Sequence, residues 1–170
     1  MLAAITVAVV MCGSGTAAPR APAADRPSPD EAKAAAKAWL AAVAGKDAGK
    51  LAAAVDLPYW QSGTALGKTA KCRGKLSAAT AKDLATIATC LAADTPLIDL
   101  IPSADEAQEI TPKQLHEALA SYATAISAAE PTHRFIQVEL EGDYHLVLVI
   151  AVHRANGKVT ADFVVGELVT

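Results

Sequence analysis

Apolar positions recur at helical spacing through the first two thirds of this chain and at every second residue through the last third. Ala32, Ala35, Ala36, Trp39, Leu40 and Val43 line one side of a helix. Ser28-Pro29-Asp30-Glu31 opens it, with a capping hydroxyl, a proline at the first helical position and a glutamate three residues after the cap. Gly45 is a natural stop. Asp47 caps a shorter helix through "AGKLAAAVD", which carries Leu51 and Val55 and closes at Pro58. "TALGKTAKCRGKL" alternates weakly and holds two glycines, so it reads as a loop or a poor strand. A third helix is expected from Ser77 or Thr80 to Ala93, with Leu84, Ile87, Ala88 and Leu91 on one face. "TPLIDLIPS" reads as a short apolar connection. Thr111-Pro112-Lys113-Gln114 repeats the capping pattern, and a fourth helix to about Glu130 carries Leu115, Leu119, Tyr122 and Ile126.

The period changes after Pro131. "RFIQVELE" places Ile136, Val138 and Leu140 on one face, and "EGD" turns the chain. "YHLVLVIAVHR" is apolar on both faces, as a strand covered on both sides would be. "ANG" makes the next tight turn. "KVTADFVVGEL" then sets Val159, Ala161, Phe163 and Val165 on one face as the last strand. Helices followed by a three-stranded antiparallel meander make an α+β plan.

The opening "MLAAITVAVVMC" follows a different rule. It is apolar, uncharged and too short to span a bilayer, which takes about 20 residues. It fits the apolar region of a secretory signal. No Lys or Arg precedes it, so the true start is expected further upstream. "VVMC" followed by "GSG" resembles a bacterial lipoprotein signal, which implies lipidation of Cys12. Met11 stands where that family has a small residue, and ordinary cleavage near "GTAA" is the competing reading. Gly13 to Pro29 is rich in Pro, Ala, Gly and Ser and has no large apolar residue, so it reads as a tether. The expected organisation is a leader at 1–17, a flexible tether at 18–28 and a single domain at 29–170.

Length and charge agree with that division. The chain has 170 residues, enough for one domain and a leader. Its formal net charge is −3, which gives no bulk attraction to nucleic acid or an anionic membrane. Membrane contact is expected only through a lipid on Cys12, and the protein is expected in the periplasm or outer envelope. Cys72 and Cys90 then meet an oxidising compartment and are expected to pair, the alternative being two separately buried thiols.

The element order resembles the nuclear transport factor 2-like superfamily, a cone-shaped fold with N-terminal helices against a curved antiparallel sheet. The residues that carry the resemblance are "EAKAAAKAWLAAVAGKDAGKLAAAVDLPYW" and "RFIQVELEGDYHLVLVIAVHRANGKVTADFVVGEL". The resemblance implies a pocket between helices and sheet, lined here by Trp39, Tyr59, Trp60 and Tyr122. Some members carry out proton-transfer chemistry there on steroids or polyketides, which would fall to Tyr59, Asp99 and Tyr122.

Other candidate chemistry is sparse. His145 and His153 share one face of a predicted strand, but eight residues separate them by roughly 26 Å, too far to share a metal ion. His116 is expected to be solvated. Lys68, Lys71, Arg73 and Lys75 cluster in a loop that reads as a solvated face. No Ser/His/Asp arrangement, phosphate loop or zinc spacing is present, so no cofactor and no metal are expected. The expected function is a non-catalytic binding or interaction module of the envelope, with an unidentified ligand or envelope protein as partner. The alternative is a small pocket enzyme of the ketosteroid isomerase or polyketide cyclase type.

Overall fold

The computed structural model describes residues 26–67, 72–93, 95–101, 107–143 and 145–169. The leader with Cys12, most of the tether, and Lys68 and Lys71 of the basic cluster lie outside the described residues. Helix α1 spans Pro29–Ala44, and its capping box forms as the sequence predicts: Glu31 N–H donates to Ser28 Oγ, and Ser28 N–H donates to Glu31. Helix α2 (Ala48–Ala54) starts at the Asp47 cap. Helix α3 (Ala81–Ala92) starts at Thr80, where Asp83 completes a second box.

Three stretches take other forms than the sequence pattern suggests. The chain does not stop at Pro58 but runs as strand β1, Val55–Ser62, with a cis Leu57–Pro58 bond. Pro58 falls where the pairing of β1 shifts register, so its missing N–H removes no ladder bond. "TPLIDL" forms a short helix α4, Thr95–Leu100. The expected fourth helix is divided into 3₁₀ turns at Pro112–Gln114 and Glu117–Tyr122, followed by helix α5, Ala123–Ala129. The backbone is extended at Leu115 and His116, and the His116 ring restarts the turn by accepting from Ala118 N–H.

The expected meander is present: strand β4 (Arg134–Glu141), β5 (His145–Ala155) and β6 (Lys158–Val169) pair antiparallel. Strand β1 and the short edge strands β2 (Leu76–Ala78) and β3 (Gln108–Ile110) extend it, among the described residues, to six strands in the order β2-β1-β6-β5-β4-β3. The curved sheet is mixed, because β1 runs parallel to β6. Gly63 follows β1 at φ 130°, and a Cβ there would lie 1.7 Å from the Gly166 carbonyl oxygen. Only glycine lets this corner press onto β6.

Both faces of the sheet are covered. On one, Trp39, Leu40, Leu51, Ile87 and Leu91 meet Ile136, Val138, Leu148, Ile150 and Val164 in the main core. On the other, Leu119 and Ile126 pack on Phe135, Val147, Val149, Phe163 and Val165. Strand β5 is therefore apolar on both sides, as its sequence predicts. Strand β6 departs from the prediction. Val152 pairs with Ala161 while Ala151 pairs with Phe163, so Asp162 is an extra residue, a β-bulge. The bulge sends Val159 and Ala161 to the helix-covered core and Phe163 and Val165 to the opposite one.

Candidate functional site

The space between helices and sheet is filled by the protein's own side chains. Trp39 on α1 and Tyr59 on β1 are fully buried there among Leu66, Leu91, Leu97 and Leu148. Their polar atoms form a chain. Trp39 Nε1 donates to the Tyr59 hydroxyl (3.2 Å), the hydroxyl donates to Gln61 Oε1 (3.3 Å), and Gln61 Nε2 donates to the Leu66 carbonyl (3.3 Å). Burial pushes the Tyr59 phenol well above its ordinary range, so it stays neutral. A buried polar chain in which each polar side-chain atom has a hydrogen-bond partner is a device for a unique core.

The four aromatic residues expected in one pocket divide between the two faces. Trp60 lies on the face opposite Trp39 and Tyr59, stacked on Phe163 with ring centroids 4.5 Å apart. Lys75 Nζ sits 4.7 Å from the Trp60 ring centroid. Tyr122 packs on that same face, donates to Glu167 Oε1 (2.9 Å) and lies 3.3 Å from Ser62 Oγ. Partial burial raises its phenol above the ordinary range, and the facing Glu167 carboxylate adds to this. Asp99 is exposed on an open cleft of about 710 Å³, with Gln137, Glu139 and Glu141. Tyr59, Asp99 and Tyr122 thus occupy three different settings and do not converge on a substrate.

Cys72 and Cys90 form a disulfide, with Cα atoms 5.5 Å apart. It fastens the loop before β2 to α3. Arg73 and Lys75 of the basic cluster are exposed.

Two histidines that no linear spacing connects come together instead. Arg134 pairs with Val152 across β4 and β5, so His133, one residue before β4, stands opposite His153. Their rings stack with centroids 5.0 Å apart and planes within 14°. The bulge in β6 delivers Asp162 to the same place, and its Oδ2 lies 2.9 Å from His133 Nε2. Asp56 on β1 lies on the other side, with Oδ2 3.4 Å from His153 Nε2. His133 is buried, whereas His153 and Asp162 are half-buried. The register sum of a β4–β5 hairpin was the sequence signal that could have paired the histidines. No sequence signal placed the bulge. His145 lies at the far end of β5, edge-on to the half-buried ring of His116.

No protein-family model matches the chain, and no curated protein matches it. Solved structures similar to it include a ketosteroid isomerase-like protein from Erwinia carotovora, at 9% identity and a TM-score of 0.46, covering 83% of this chain and 95% of that one. Another is a nuclear transport factor 2-like protein of unknown function from Methylobacillus flagellatus, at 12% identity and a TM-score of 0.43, covering 83% and 91%. A third, of the same description, is from Shewanella baltica, at 8% identity and a TM-score of 0.40, covering 83% and 93%.

Proposed function

We propose that this protein is an exported, envelope-associated binding or interaction module that does not catalyse a reaction in its helix–sheet interior. The observation that carries this reading is the filled interior. The space where a pocket enzyme would hold its substrate contains Trp39, Tyr59 and Gln61, hydrogen-bonded to one another and to the Leu66 carbonyl. General acid–base chemistry needs a titratable group within hydrogen-bond reach of the substrate. Tyr59 is sealed away from any substrate, and Asp99 and Tyr122 are elsewhere. The Cys72–Cys90 disulfide is compatible with residence where thiols oxidise. A lipid on Cys12 would tether the domain to a membrane surface, leaving its outer faces free for a ligand or an envelope protein.

The test has two arms. Fractionation of cells making the full-length chain is expected to recover it outside the cytoplasm, with the disulfide intact by mass. A Δ5-3-ketosteroid incubated with the purified protein is expected to isomerise at the uncatalysed rate. Turnover that disappears in Tyr59→Phe would overturn the non-catalytic reading. Recovery of an unprocessed, reduced chain from the cytoplasm would overturn export.

A further inference from the structure

We propose that His133, His153, Asp162 and Asp56 form a binding site for a divalent transition-metal ion of the zinc class, held by two imidazole nitrogens and two carboxylate oxygens. The ligand atoms offered by His133, His153 and Asp162 all lie within 4.8 Å of one another. A tetrahedral ion with bonds of 2.0–2.1 Å sets its donors about 3.4 Å apart. The two measured edges of the cluster are 2.9 Å, from His133 Nε2 to Asp162, and 3.4 Å, from His153 Nε2 to Asp56. Among His133, His153 and Asp162, closing from at most 4.8 Å to that spacing takes shifts on the order of 1 Å, within the reach of side-chain rotation, and Asp56 joins through its contact with His153.

The hydrogen-bond pattern accommodates a cation. His133 Nδ1 lies 3.1 Å from the Ala129 carbonyl oxygen and 2.8 Å from Thr132 Oγ1. In one tautomer Nδ1 accepts from the Thr132 hydroxyl, whereas with the proton on Nδ1 the ring donates to the Ala129 carbonyl and leaves a lone pair on Nε2. That lone pair faces a carboxylate oxygen at 2.9 Å. Either a proton on Nε2 or a metal ion bridges this pair, and a bound metal would displace that proton while the ring keeps its contact with the Ala129 carbonyl. Among the described residues His153 Nε2 is buried without a hydrogen-bond partner, although Asp56 Oδ2 stands 3.4 Å away. One dication would bind both nitrogens and neutralise both aspartates. The Nδ1–H contact to a backbone carbonyl is also the arrangement that orients metal-ligating histidines. Imidazole and carboxylate donors together suit zinc and its neighbours better than calcium or magnesium.

The site belongs to the fold and not to a loop. Pairing of β4 with β5 sets the two histidines opposite one another, and the bulge in β6 aims Asp162 at them. Bulges are a common means of re-aiming a side chain beside a functional site.

The experiment uses the tag-free full chain carrying Cys12→Ser, which removes the one cysteine outside the disulfide as a competing donor. After chelator dialysis, Zn2+ is titrated by calorimetry, and Co2+ is followed by its visible absorption. Expected are one Zn2+ per chain, a tetrahedral Co2+ spectrum displaced by Zn2+, and a melting temperature that rises with Zn2+ concentration. His153→Gln and Asp162→Asn, checked as folded by circular dichroism, are each expected to weaken binding by at least the ~10–100-fold typical of losing a supporting contact. Should His133→Ala fail to fold, these two variants decide. Absence of stoichiometric binding in the parent, or undiminished binding in both variants, would overturn the site. Either result is independent of where the protein resides.

Discussion

On the helix-covered face of the sheet, the polar atoms of Trp39, Tyr59 and Gln61 form a chain that ends on the Leu66 carbonyl. On the opposite face, His153 Nε2 is buried without a hydrogen-bond partner among the described residues, and His133 turns toward a carboxylate. The first arrangement is closed: its matched donors lock a core, and nothing is left over to bind. The second is open, because its nitrogens and carboxylates are arranged around a place for a positive charge. An unsatisfied buried polar atom costs about 1–3 kcal/mol. The face that carries that cost is the better place to look for a ligand.

The contrast is sharpest at the two tryptophans. Trp39→Ala is expected to cost about 3–5 kcal/mol, because it opens a cavity and strands the Tyr59 hydroxyl. The same truncation at Trp60, half-buried against Phe163, is expected to cost less. Equal losses, measured by denaturant unfolding, would break the distinction between the faces.

The next effect is on the disulfide. Cys72 and Cys90 are 18 residues apart, and closing such a loop contributes about 3 kcal/mol by chain entropy. Replacing both with alanine is expected to lower unfolding stability by that order and to leave Zn2+ affinity unchanged, since the bond fastens α3 and not the histidine face. A parallel loss of metal binding would show that the faces are coupled.

The smallest effect belongs to the seam between α1 and β5. Arg154 Nη2 donates to both Glu31 carboxylate oxygens at 2.6 Å. This contact, with the Ser28 cap, holds the Glu31 carboxyl down at about 2 from its ordinary 4.5. A folded-state pKa below the unfolded one stabilises the fold above pH 4.5, and that contribution is lost as pH falls toward 2. Glu31→Gln is expected to flatten stability across that window. An NMR titration of Glu31 with a midpoint near 4.5 would remove the effect.

Much of this molecule is legible in its sequence for physical reasons. Capping boxes are local, so Ser28 marks α1 correctly, and of the two starts expected for α3, Ser77 and Thr80, the structure takes the one that Asp83 can complete. Alternation is also local, so Ile136, Val138 and Leu140 read as one face. What could not be read depends on pairing between distant segments. Strand β1 passes through Pro58 because β6 lies alongside it. The aromatic set divides because Tyr59 and Trp60, adjacent on one strand, point to opposite faces. The histidine pair forms across two strands, and the separation along one strand that rules out His145 with His153 says nothing about His133.

The extra residue in β6 has a consequence for what this chain can lose. Removing Asp162 would restore regular alternation without turning either half of the strand over, because Ala161 and Phe163 already face opposite sides. Val159 and Ala161 would still meet the helix-covered core, and Phe163 and Val165 the opposite one. A one-residue deletion here would therefore take away the carboxylate aimed at His133 while each apolar side chain keeps its layer, so the chain can lose the ligand without exchanging its cores.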